Sequence, residues 1–283
     1  MKVEFDKPLL NDVCGLSCVE NFLLYAMKEA DYEYKYLYHG SYLSMNDIAG
    51  EFIKNNARYA SFYRIQRLQE LAVQNNLIEW KYLRHNDFAE CIDDYDYNAV
   101  MIKPEYIAAK YKTELWRDDH FLLIGQKDPE SFYYLNDNPR DNGVISYGEL
   151  KSIYAGEMIG FTIKNKISKA LRHEFLDTFI NSISAAPVLS SFEFTDLMMA
   201  RDTLGVIRTS RKRICDYCGI YIPMDFYRKF ILSIEKLYAS IEYMRLRKSS
   251  DMDKINRQFE ELQEQDIELA SVLSAEMKGA HGK

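Results

Sequence analysis

The stretch "HFLLIGQKDPESFYYLND", residues 120 to 137, constrains this chain more than any other. Two runs of apolar and aromatic residues are split by a short polar segment containing Pro129, the pattern of two antiparallel strands joined by a tight turn. Such a hairpin returns the end of its second strand to the start of its first, so His120 and Asp137 become neighbours. Further short runs rich in β-branched or aromatic residues, "LIEWKYL", "NAVMIK" and "MIGFTIK", extend the sheet, with Asn142-Gly143 read as a turn. Helical spacing is expected at 45 to 55, 63 to 75, 105 to 112 and 146 to 154. Tyr32, Tyr34, Tyr36 and Tyr38 alternate at period two, which predicts an extended segment and a possible lining for an aromatic acyl group.

Beyond Lys164 the strand signal stops. Residues 167–182, 192–204, 206–219, 224–247 and 252–277 carry helical periodicity, and Ile255, Phe259, Leu262, Leu269 and Leu273 form one stripe that Asp266 interrupts. The expected class is α+β: residues 1–165 form a helix-plus-antiparallel-sheet domain, and residues 166–283 an all-helical one.

The chain has 283 residues, 47% of them apolar, enough for a sizeable core. A net charge of −7 argues against nucleic acid as partner. Neither phosphate-cradling glycine pattern occurs. No apolar run reaches membrane-spanning length, and "MKVEFDKPLL" lacks the apolar stretch of a signal peptide, so the expectation is a cytoplasmic protein without a membrane partner. Five cysteines then read as reduced thiols. Cys215 and Cys218 have half the spacing of a zinc site, but no second such pair follows, so they are read as packing residues and no metal is expected. "RTSRKR" at 208–213 and "RLRK" at 245–248 are basic clusters that could steer an acidic partner.

The remaining chemistry lies in "NDVCGLSCVENFLLYAM", residues 11–27. Its apolar spacing predicts a helix with Cys14 at the amino end, where unpaired N–H groups favour a thiolate, and with Cys18 one turn deeper as a small core residue. A thiolate nucleophile needs a base and a group that orients the base. Of five histidines only His120 opens a core strand, and Asp137 ends its hairpin partner. Cys14, His120 and Asp137 are therefore the candidate catalytic set.

"VCGLSCVENFLL" resembles the nucleophile helix of the papain-like bacteriocin-leader peptidases, and "HFLLIG…YYLNDNP" resembles their histidine-aspartate hairpin. The helical second half is more similar to the butirosin-type acyltransferase family and to amide synthases of the closthioamide type. The resemblance implies a papain-like fold with a carboxy-terminal helical domain. It implies transfer of an acyl group from an acyl or peptidyl carrier-protein thioester, through an acyl-Cys14 intermediate, to a small-molecule amine in the biosynthesis of peptide-like, nonribosomal antibiotics. No cofactor would be needed beyond the carrier's phosphopantetheine arm. The peptidases' acid before the nucleophile is Val13 here, and Pro8 stands where their glutamine does. That leaves Asn11 as the nearest side-chain oxyanion donor, beside the Cys14 N–H. Asn136 is the alternative orienting residue, since papain-like enzymes commonly use an amide. A peptidase or amidase with water as acceptor, or a non-enzymatic binding module, would use the same fold; a helical domain that excludes water would favour the amine.

Overall fold

The computed structural model describes residues 4–55, 68–85, 87–112, 120–185, 191–217, 224–249 and 251–281. The chain divides into two compact units, Met1–Tyr34 with Leu68–Ile167, and Lys35–Arg67 with Ser168–Lys283. The divisions fall between Tyr34 and Lys35, between Arg67 and Leu68, and between Ile167 and Ser168. The stretch beginning at Lys35 groups with the carboxy-terminal helices and not with the sheet.

The first unit is α+β. Helix α1 (Cys18–Glu29) precedes α4 (Leu68–Gln74), β1 (Ile78–Arg84), β2 (Tyr97–Ile102), α5 (Pro104–Tyr111), β3 (His120–Asp128), β4 (Ser131–Asp137), β5 (Arg140–Ser146), α6 (Tyr147–Ile153) and β6 (Tyr154–Ile163). The six strands form one sheet in the order β1-β6-β2-β3-β4-β5, each pair antiparallel. Strand pleating sends successive side chains to opposite faces. One face carries Val100, Ile102, Leu122, Ile124, Phe132, Tyr134 and Met158, closed over by Phe88, Ile107 and Leu150. Alternation puts Phe121, Leu123 and Leu135 on the other face, where α1 packs. Burial on both faces explains why the strands read as apolar runs rather than as alternating ones.

The hairpin forms where the sequence places it. Asp128 closes the turn by accepting from the Glu130 N–H at 2.9 Å and the Ser131 hydroxyl at 2.6 Å. β5 corrects the reading of Asn142-Gly143 as a turn, since both lie inside a strand, opposite Leu135 and Tyr134. Gly143 is there for space: a Cβ would sit 3.1 Å from the Tyr134 ring. No helix among the described residues is long and apolar enough to cross a membrane.

The second unit contains α2 (Lys35–Gly40), α3 (Met45–Asn55), α7 (Lys169–Ser184), α8 (Leu197–Lys212), a π-turn at Arg213–Tyr217, α9 (Met224–Arg247) and α10 (Met252–His281). Tyr36 and Tyr38 lie in a helix, not the extended segment that their period-two spacing suggests. Burial of Tyr34, Leu37 and Tyr38 follows the helical interval instead, because a tyrosine serves equally on a half-wet face. The separate helices at 192–204 and 206–219 are corrected too, as α8 runs unbroken through Gly205. Of the 63–75 helix, Leu68–Gln74 forms and 63–67 lie outside the described residues.

Asp266, the misfit in the α10 stripe, is the partner of a wholly buried arginine. Arg211 Nε and Nη2 donate to its two carboxylate oxygens at 2.5 and 2.7 Å, and Nη1 donates to the Leu43 carbonyl at 2.8 Å. The guanidinium carbon lies 4.6 Å from the centre of the Tyr42 ring. One side chain thus ties α8, α10 and the α2–α3 connection together. Arg213 is also buried, against Tyr38, so "RTSRKR" is not the steering patch that its composition suggests. Removing one partner strands a buried charge, so Asp266→Ala should cost about 3–5 kcal/mol, read as a lowered urea midpoint.

His39 gives a second handle on this unit. It is 6% exposed, packs on Phe179 at 5.2 Å and on Tyr36, and neither ring nitrogen has a hydrogen-bond partner among the described residues. Burial lowers its pKa from 6.5 to about 4. Between those values the unfolded chain binds the proton and the folded chain does not, so stability falls as pH drops through that window, by about 3 kcal/mol in all. Urea unfolding at pH 7 and pH 4.5 should show this loss, and His39→Phe should lack its share.

Candidate active site

The start of β3, the end of β4 and the start of β5 meet at one end of the sheet. His120 opens β3 and Asn136 is the penultimate residue of β4; both are buried, at 2% and 0% exposure. His120 Nε2 and Asn136 Oδ1 are 2.6 Å apart. Asn136 Nδ2 donates to the Pro139 carbonyl at 2.9 Å, which fixes the amide with its oxygen toward the ring. An oxygen can only accept, so Nε2 carries the hydrogen and Nδ1 of a neutral ring is the basic nitrogen.

The expected roles of the two β4 residues are thus redistributed. Asn136, the alternative, holds the imidazole. Asp137, one residue on, belongs to the α1 face, where its Oδ2 accepts from Asn21 Nδ2 at 3.0 Å. Its Oδ1 is buried with no hydrogen-bond partner among the described residues. Burial raises the Asp137 pKa, opposed by the Asn21 hydrogen bond, by the charge of His120 and by nearby backbone N–H groups. His120 is thus held by the amide of one of these neighbours and lies near the carboxyl of the other.

Asn21 also reaches the cysteine loop. Its Oδ1 accepts from the Gly15 N–H at 2.7 Å, and Glu20 Oε2 accepts from the Leu16 N–H at 2.6 Å. The Ser17 hydroxyl caps α1 by accepting from the Glu20 N–H at 3.2 Å. The helix therefore begins at Cys18 and not at Cys14, which lies in a loop folded back over the first turn. The fold-back is tight: a Cβ on Gly15 would come within 2.7 Å of the Asn21 backbone nitrogen and Oδ1. Only glycine fits there.

Both Cys14 and Cys18 are partly exposed. The Cys18 thiol is pushed far up by burial and then by the Asp137 carboxylate, against a weaker pull from the Phe121 backbone. A thiol so held stays protonated and unreactive. Asn11, the proposed oxyanion donor, is exposed on a 3₁₀ turn (Lys7–Asp12), and its Oδ1 accepts from Arg140 Nη1 at 2.6 Å. That bond leaves only its amide nitrogen to serve as a donor. Asp118 and Asp119, which precede His120 in sequence, lie outside the described residues, as does Cys218, while Cys215 is in the π-turn.

On the His120 face, Asp141 stands opposite Asn136 across β4 and β5. Its Oδ2 accepts from the Tyr111 and Tyr134 hydroxyls, each at 2.8 Å, and lies 3.4 Å from Lys110 Nζ. Burial alone would raise the Asp141 pKa, but the two phenols and the ammonium outweigh it and the net shift is downward. This wall places an ion pair, Asp141 with Lys110, on the same face as the histidine-amide pair.

Spacing alone does not single out Asn21. Its signal was present, since Glu20 and Asn21 are the polar residues early in a helix whose next six positions, Phe22 to Met27, are buried and apolar. A scan of family models and a search of curated proteins find no match to this chain.

The Cys18 environment makes a direct test. Iodoacetamide applied to the native protein at mildly alkaline pH should leave Cys18 unmodified, and denaturant should expose it; peptide mass mapping reads both states. Cys18 labelling as fast as Cys14 in the native protein would refute this account.

Proposed function

We propose that the chain is a thiol-dependent acyl-transfer enzyme of papain-like fold with a helical carboxy-terminal domain, in which Cys14 is the nucleophile, His120 the acid and base, and Asn136 the orienting group. The observation that carries this reading is the buried 2.6 Å approach of His120 Nε2 to Asn136 Oδ1, which leaves Nδ1 as the proton acceptor. Asp137 then acts as an anchor: through Asn21 it holds Gly15, and with it the backbone that bears Cys14.

In this mechanism His120 Nδ1 takes the thiol proton, and the Cys14 sulfur attacks the carbonyl carbon of a carrier-bound thioester. The tetrahedral intermediate collapses by breaking the bond to the phosphopantetheine sulfur, which leaves with the proton from His120. An amine next attacks the acyl-Cys14 carbonyl and gives its proton to His120, and the Cys14 sulfur departs and recovers that proton. The Cys14 N–H and the amide nitrogen of Asn11 are the candidate donors to the oxyanion. The acceptor is a small amine, the carrier protein is the partner, and a cytoplasmic setting with reduced thiols suits the chemistry.

Incubation with acyl-pantetheine thioesters followed by intact-mass analysis should show one acyl group on the wild-type chain and none on Cys14→Ala, while Cys18→Ala still loads. Asn136→Ala should slow loading by about a hundredfold or more. Release should be faster with added amines than with water alone. Loading retained in Cys14→Ala would overturn the assignment, and release by water at an undiminished rate would make the chain a hydrolase.

A further inference from the structure

α9 carries apolar residues on two opposite sides. Phe230, Ile234, Leu237 and Ile241 are buried in the second unit. About 160–260° round the helix from that face, a second seam runs at alternating steps of three and four residues. Leu232, Ala239 and Leu246 occupy one set of heptad positions, and Lys229, Lys236 and Tyr243 the other. All six are exposed, Leu232 at 59%, Tyr243 at 57% and Leu246 at 83%.

We infer that this seam is a docking surface for an acidic amphipathic helix of a partner protein, which sets Leu against Leu232, Ala239 and Leu246 and carboxylates against Lys229 and Lys236. The inference is independent of the acyl-transfer reading. Leucine at one heptad set with lysine at the other is the arrangement by which a two-stranded coiled coil selects its partner, since a lysine in the seam is tolerated opposite a carboxylate and not opposite another lysine. A second copy in parallel pairing is disfavoured on that ground, since it opposes each lysine to itself.

The surrounding charge agrees. Glu235 and Glu242 beside the seam are already paired with Arg208 and with Arg201 and Arg245, whereas Lys236 and Lys248 have no carboxylate within ion-pair distance among the described residues. Lys229 reaches Glu268 at 3.6 Å, with both side chains more than half exposed, a pair that a closer carboxylate can displace. Arg247 stacks on the Tyr243 ring at 5.3 Å and adds positive charge at the carboxy-terminal end.

The test uses the full chain and a fluorescein-labelled synthetic helix of about four heptads, with Leu at one seam set and Glu at the other. Fluorescence anisotropy should show micromolar binding that weakens with salt. Lys229→Glu with Lys236→Glu should weaken it at least tenfold and transfer preference to a helix carrying Lys in place of Glu. Leu232→Asp with Leu246→Asp should abolish it, with circular dichroism unchanged because both positions are exposed. Equal binding of the acidic and basic helices would overturn the proposal. So would concentration-dependent self-association lost in the Leu232→Asp, Leu246→Asp variant, or binding of the chain to anionic vesicles in preference to the acidic helix.

Discussion

Neighbouring residues of a strand cannot present their side chains to the same face, and the site depends on that rule at Asn136 and Asp137. One turns to the face of Leu122 and Tyr134 and holds His120; the other turns to α1 and holds Asn21. A single dipeptide at the end of β4 thereby serves both sides of the sheet. The imidazole and the cysteine loop are fixed to adjacent peptide units of one strand, so neither can shift without the other. Attachment of this kind holds two groups in one register without an entropy cost each time they must meet.

Much of this was legible in the chain. Apolar runs bounded by turn residues located β1 to β4 and β6, and the short loop at Pro129 was enough to bring residue 120 beside the end of β4. Strand parity was legible as well, and it required that only one of Asn136 and Asp137 face the histidine. Which one could not be read, because it depends on how the chain turns after β4 and on the polar group of α1 that waits on the far side. The helix start was misplaced for a similar reason. Ser17 is as good a cap as Asn11 or Asp12, and the bonds from Asn21 and Glu20 to the preceding loop decide among them.

In the second unit the errors came from residues that satisfy two patterns at once. Tyr36 and Tyr38 fit a strand by spacing and a helix by burial, and tertiary packing chose the helix. Asp266 breaks an apolar stripe only until Arg211 is seen. The basic run at 208–213 fails as a surface patch because two of its arginines are core residues held by Asp266 and by the rings of Tyr42 and Tyr38. Charge counted along a sequence says little about charge on a surface when a cation has a buried partner.

The interruption of the first unit by the segment that begins at Lys35 bears on how the chain is made. During synthesis the polypeptide emerges from its amino end, and domains generally fold as units as they appear. Everything the sheet requires has been synthesised by residue 167, whereas Ile48 and Phe52, fully enclosed in the finished protein, must wait for α8, which packs on α3, before they are covered. Until α8 has been made, this segment is an insertion tethered to the sheet with its apolar side chains uncovered, a surface that invites aggregation.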